Sequence, residues 1–246
     1  MINIIRNCSH NGDVCTGIKT DDNGLPVLIV RTTFSAKGVM ALSRELQGIS
    51  KYSERLNTGR EKNIINFKLL DSYGKMELKY HNGMPGDYMA QLDKNYQKLS
   101  DLISYYRRVF CDNKELISHG DFSISNVLFE GSSVKWIMDW ENANDIMPRE
   151  YDLIYCITEN VLCSLAKRGF LSKAEISVYH SLFFKIEKEV GAACGIKKAP
   201  GRWCLDMALD YVRKTGVDYK RCPFIAYSHD PGTKCIIEKL DALLKS

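Results

Sequence analysis

The chain contains no C-x-x-C pair, and none of its nine cysteines falls in a Cys/His cluster with zinc spacing, which argues against a zinc module. An odd number of cysteines does not complete a disulfide framework, and Cys156 and Cys163 sit inside apolar runs, so reduced thiols are expected. No apolar stretch reaches the roughly 18 residues that a membrane helix needs, and Met1–Arg6 is not a basic leader ahead of a long apolar segment. The expectation is therefore no transmembrane segment and a cytoplasmic location. An excess of one charge is also missing. The 34 basic and 30 acidic residues leave a formal +4 with no Lys/Arg block, which speaks against a nucleic-acid partner. Neither G-x-x-x-x-G-K-[ST] nor G-x-G-x-x-G occurs, so a Walker or Rossmann phosphate loop is not expected.

What is present is enough apolar material for a sizeable core, 45% of 246 residues, in either one large domain or two lobes. Short β-branched runs dominate the first eighty or so positions. Val14 to Thr20 and Val27 to Thr33 flank Asp21-Asp22-Asn23-Gly24, and Ile64 to Leu70 and Lys75 to Tyr80 flank Ser72-Tyr73-Gly74, so two hairpins are predicted. Between them Ser35 to Leu56 places Val39, Leu42, Leu46, Ile49 and Leu56 on one helical face. After Asn82-Gly83-Met84-Pro85-Gly86 the texture becomes helical, first over Tyr88 to Phe110 with Leu92, Tyr96, Leu99, Ile103 and Tyr106 in phase. Further helices are predicted at Tyr151 to Arg168, Ser172 to Val190, Arg202 to Lys214 and Thr233 to Lys245, and a short hairpin at Val127 to Glu130 and Val134 to Met138. The fold class is thus α+β, with a small β-rich lobe containing one helix at 1–83 and a larger, mainly helical lobe at 84–246.

Chemistry concentrates in Ser118-His119-Gly120-Asp121-Phe122-Ser123-Ile124-Ser125-Asn126 and in Trp136-Ile137-Met138-Asp139-Trp140-Glu141. Two acids and an amide are presented around one hairpin. Phosphoryl transfer needs a carboxylate to orient and deprotonate a hydroxyl, and oxygen ligands to hold Mg²⁺ against phosphates; Asp121, Asn126 and Asp139 supply that set. A single Asp in a turn followed by an Asn also suits turn chemistry alone.

The His-Gly-Asp triplet, the Asn five residues after Asp121 and the Ile-Met-Asp-Trp-Glu strand end resemble the aminoglycoside phosphotransferase and choline kinase superfamily, relatives of the protein kinases. The resemblance implies a two-lobed protein-kinase-like fold, Mg²⁺ with ATP or GTP, and a small-molecule hydroxyl acceptor. By it Asp121 is the catalytic base, Asn126 and Asp139 are metal ligands, His119 is structural, Asp152 braces the catalytic loop, and Glu141 occupies a supporting position. On the first lobe it points to Arg31, with Glu45 on the following helix, where a lysine and glutamate are usual; an ion pair that only joins strand to helix is the other reading of those two. His81 and Asn82 fall where a linker would hold the nucleotide base, and Ser9–Asp13 is either a phosphate-covering turn or a plain hairpin turn. Basic residues outnumber acids over 153–246, which favours a neutral or anionic acceptor, such as a sugar or surface-glycan component, over an aminoglycoside, choline or another amino alcohol. A nucleotide-binding pseudokinase is the reading from another class. Oligomeric state is left open by the sequence.

Overall fold

The computed structural model describes residues 2–6, 13–87, 90, 92–111, 118–143, 152–157, 160 and 172–191. It is a mixed α+β chain with an antiparallel sheet and several helices, and contacts divide it into two units. Met1–Asn82 group with Asp139–Asn144, and Gly83–Met138 group with Asp145–Ser246. The return of residues 139–144 to the first unit was not part of the 1–83 and 84–246 division expected from sequence.

In the first unit, strands β1 (Ile2–Arg6), β2 (Cys15–Thr20), β3 (Pro26–Thr33), β4 (Ile64–Leu69) and β5 (Gly74–Lys79) form one antiparallel sheet in the order β1-β2-β3-β5-β4. The turn residues act as their chemistry requires. Asp21 Oδ1 accepts the backbone N–H groups of Asn23 and Leu25, and Gly24 takes a positive φ of 80°, which closes the β2–β3 hairpin. Helix α1 (Ala36–Arg55) starts at Ser35, whose Oγ accepts the Gly38 N–H at 3.0 Å. Asp13 secures the same corner, its carbonyl accepting Thr33 Oγ1 and its carboxylate accepting Ser35 Oγ and pairing with Lys37, and Lys37 and Ser35 hold its carboxyl below the usual range.

The buried face of α1 is Ala41, Leu42, Glu45, Gly48, Ile49 and Tyr52, whereas Val39, Leu46 and Leu56 are only half-buried. Apolar periodicity therefore located the helix and misjudged its inward stripe. The reason is Trp140, which packs against α1: its ring lies 5.3 Å from that of Tyr52, and a Cβ on Gly48 would stand 2.8 Å from it. Only a residue without a side chain allows that approach.

In the second unit, β6 (Met84–Pro85), β7 (Val127–Glu130) and β8 (Ser133–Ile137) form a three-stranded antiparallel sheet, with Gly131 at φ 62° in the β7–β8 turn. Met84–Pro85, in the stretch where the sequence texture changes, form a short strand against Leu128 and Phe129. Helix α2 (Leu92–Phe110) packs on β8, and buries Leu92, Leu99, Ile103 and Tyr106 as expected, with Leu102 beside them. Tyr96 points outward, and Asn95 is buried in its place because its Nδ2 donates to the Asp87 carbonyl at 2.7 Å. Residues 152–157 are helical (α3), and α4 (Lys173–Ile186) begins in a capping box between Ser172 and Glu175 before passing into a π-helical turn, Glu187–Gly191. Helices α2 and α4 pack together, and Lys185 lays its stem between them to donate to the carbonyl and hydroxyl of Ser100. The helices expected at Arg202 to Lys214 and Thr233 to Lys245 lie outside the described residues, as do positions 151, 158, 159 and 161–168 of the one expected over Tyr151 to Arg168. Cys15, Cys111 and Cys156 are not in disulfides. No helix among the described residues is long and apolar enough to cross a membrane.

Candidate functional site

Most of the residues singled out by sequence fall in two polar groups, one in each unit. The first belongs to the loop 118–126. Phe122 and Ile124 are fully buried and anchor it, Ser123 caps a 3-10 turn at Ile124–Asn126, and Asp121, Ser125 and Asn126 are the partly exposed residues that remain. Gly120 stands at φ 80°, a conformation that side chains rarely adopt, so the position between His119 and Asp121 calls for glycine.

Asp152, 1% exposed at the start of α3, holds this loop from beneath. Its Oδ2 accepts the His119 N–H at 2.8 Å and the Tyr106 hydroxyl at 3.0 Å; its Oδ1 accepts the Ser118 hydroxyl at 2.9 Å and the Gly120 N–H at 3.1 Å. Burial pushes the Asp152 carboxyl above its ordinary range, opposed by His119 and by the Ser118 and Gly120 donors. The His119 ring is used at both nitrogens. Nε2 lies 2.8 Å from the Met138 carbonyl and so carries the proton, while Nδ1 accepts the Asp121 N–H at 3.4 Å. The ring thereby ties the loop to the residue that follows β8.

Asp121 is fixed at several points. Its carbonyl accepts from Ser123 N and from Asn126 Nδ2, the latter at 2.9 Å, and its Oδ1 accepts the Tyr155 hydroxyl at 3.0 Å. Because Asn126 meets a carbonyl, its amide NH₂ is the end turned inward, which leaves Oδ1 as an acceptor for another group. The Asn126 carbonyl in turn accepts Met138 N–H, one residue before Asp139.

The second group surrounds Arg31, which is 8% exposed on the sheet face beneath α1. Its Nη2 bonds Glu141 Oε2 at 2.8 Å, its Nη1 bonds Asp139 Oδ1 at 3.1 Å, and its Nε stands 3.2 Å from Glu45 Oε2 without hydrogen-bond alignment. Neither reading of the Arg31–Glu45 pair included Asp139 and Glu141; the ion pair is present, and the same guanidinium serves two further carboxylates. Burial pushes Glu45 up to about 7, countered by Arg31 and reinforced by Asp139 and Glu141. Arg31 itself is driven further up its already high range by the three acids, although burial alone would lower it. Asp139 sits at φ 64° and ψ 54°, a left-handed conformation uncommon for a residue with a side chain and costing on the order of 1 kcal/mol. Arg44 Nε donates to the Glu141 carbonyl at 2.7 Å, and buried Trp140 completes the anchoring of this turn.

His81 and Asn82 follow β5 in the chain. His81 is partly buried, and burial, helped by Lys79, lowers it to about 4, whereas Asn82 is exposed. Residues 9–12 of the expected phosphate-covering turn lie outside the described residues, and Asp13 is engaged at the start of α1 as above. Sequence reasoning missed Tyr106, Ser118 and Tyr155. Tyr155 follows Asp152 by three, a spacing that puts two helical residues on one face, but its apolar neighbours make it read as core.

The oxygen donors Asn126 Oδ1 and Asp139 Oδ2 are the chemistry that Mg²⁺ prefers, and neither accepts a hydrogen bond from a described residue. Among the described residues, no group of three or more His, Cys, Asp or Glu side chains is arranged to hold a metal by itself. The chain matches no protein-family model and none of the curated proteins compared with it.

Proposed function

We propose that this chain is a kinase of small molecules, on a two-lobed protein-kinase-like arrangement, which moves the γ-phosphoryl group of Mg-bound ATP or GTP to a hydroxyl of a neutral or anionic acceptor. The observation that carries this reading is the loop 118–126, where Asp152 fixes the backbone while Asp121 and Asn126 stay partly exposed and oriented. A loop that buries so many donors to position one carboxylate supports a role for that carboxylate in chemistry. In the reaction, Asp121 accepts the proton of the attacking hydroxyl as the new O–P bond forms. Asn126 and Asp139 would hold Mg²⁺, which when bound offsets negative charge on the phosphates.

One observation favours a second reading. Arg31, the candidate for a phosphate contact, already serves three carboxylates, as it would in a pseudokinase that binds nucleotide without transferring phosphate. Nucleoside diphosphate release across a panel of sugars, sugar phosphates, amino alcohols and aminoglycosides separates the two. Acceptor-stimulated release that Asp121→Asn lowers by about 10²- to 10⁴-fold, with nucleotide affinity retained, is expected. Asp139→Asn should instead weaken Mg-nucleotide binding. Nucleotide-induced thermal stabilisation with no turnover for any acceptor would favour the pseudokinase, and equal loss of nucleotide binding in both variants would overturn the assigned roles.

A further inference from the structure

We infer that Tyr155 is a positioning residue for Asp121, and that Asp121 Oδ2 is the oxygen that receives the acceptor's proton; this rests on the kinase reading above. A buried phenol needs a polar partner, and Tyr155, 3% exposed, donates to Asp121 Oδ1 at 3.0 Å. The torsion that turns an aspartate carboxyl is broad, with no sharp preference of its own, so the main-chain bonds around Asp121 fix where the carboxyl stands but not how it is turned. The phenol supplies that missing constraint. With Oδ1 engaged from within the fold, Oδ2 is the oxygen left to an incoming hydroxyl.

In the step itself, the acceptor O–H bond breaks and its proton passes to Oδ2, the acceptor oxygen forms the new bond to the γ-phosphorus, and the bond from that phosphorus to the bridging oxygen breaks. The nucleoside diphosphate leaves with that electron pair. Tyr155 keeps its proton throughout. It therefore contributes to the orientation of the base and not to the binding of either substrate, which gives it a kinetic signature distinct from a packing role.

The test is Tyr155→Phe, which keeps the buried ring and removes the hydroxyl. The expected result is kcat reduced about 10- to 100-fold with KM for nucleotide and acceptor within about twofold of wild type. Wild-type turnover that depends on Asp121 together with unchanged kcat in Tyr155→Phe overturns the role of Tyr155 and leaves the kinase reading intact. Absence of turnover in the wild type overturns both. Should the phenylalanine variant not fold, 3-fluorotyrosine placed at position 155 retains ring and hydroxyl; its ¹⁹F resonance is expected to move on Asp121→Asn, and an unmoved resonance overturns the inference.

Discussion

Asp152 and the Arg31 cluster bury charge in opposite ways. Among the described residues no cation is bonded to Asp152: two hydroxyls and two backbone N–H groups surround it, so its charge is met by dipoles that the loop has to present in fixed positions. Arg31 meets Glu45, Asp139 and Glu141 at once, so one positive charge answers up to three negative ones. The first arrangement specifies a backbone shape, because moving His119 or Gly120 strips donors from a buried acid. The second ties a strand, a helix and the 139–141 turn through side chains, where burial raises Glu45 and the neighbouring Asp139 and Glu141 add to that rise. Dipoles define geometry here, and the guanidinium defines electrostatic balance.

The largest expected effect comes from breaking the balance. Arg31→Met removes the guanidinium that three buried or half-buried carboxylates share and should lower unfolding free energy by about 3–5 kcal/mol in urea titrations. A loss under about 1 kcal/mol would mean that the carboxylates are solvated or protonated without Arg31, and the contrast with Asp152 would fail.

A middle-sized effect concerns pH. Glu45 ionises near 4.5 when unfolded and near 7 in the fold, so between these values the folded chain holds a proton that the unfolded chain lacks. Stability from this group is fully present below pH 4.5 and is lost as pH rises through 7, by on the order of 3 kcal/mol. Glu45→Gln does not titrate and should flatten that part of a stability-against-pH curve. Asp152, shifted in the same direction, is untouched by the substitution, so any slope that survives belongs to it and to other groups. A curve identical to wild type would remove Glu45 from the account.

The smallest effect sharpens the other side. Tyr106→Phe takes one of four donors from Asp152 and should cost about 1.5 kcal/mol by urea titration, since three bonds to the carboxylate remain. A cost as large as that of Arg31→Met would show that the dipole arrangement has no spare capacity.

Where local chemistry decides, the sequence was legible. Asp21–Gly24, the turn before Gly74 and Gly131 marked the hairpins, and Ser35 and Ser172 marked helix starts, because turns and caps are settled by neighbours in the chain. Partners distant in the chain were not legible. The pairing of Arg31 with residues 108 and 110 positions away leaves no local trace, and neither does the phenol of Tyr155 reaching Asp121. Helix faces were legible only in part for a related reason: Leu42, Ile49, Leu99, Ile103 and Tyr106 are interior as expected, but Glu45 and Gly48 of α1 and Asn95 of α2 are interior for their partners and not for their hydropathy. The loop 118–126 was recognisable from its residue types, whereas the direction in which each side chain is used had to come from the fold.

The glycine at position 48 has a bearing on how this protein would respond to engineering. By helix propensity alone, replacing an interior helical glycine with alanine is among the safest stabilising changes, worth about 1 kcal/mol. In this chain the added methyl would press on Trp140, and with it on the turn that presents Asp139 and Glu141 to Arg31. A consensus or propensity-driven library would select that substitution for the helix and displace the acids beside the tryptophan, so local helix stability and integrity of the charged cluster would be traded against each other at a residue that carries no polar group.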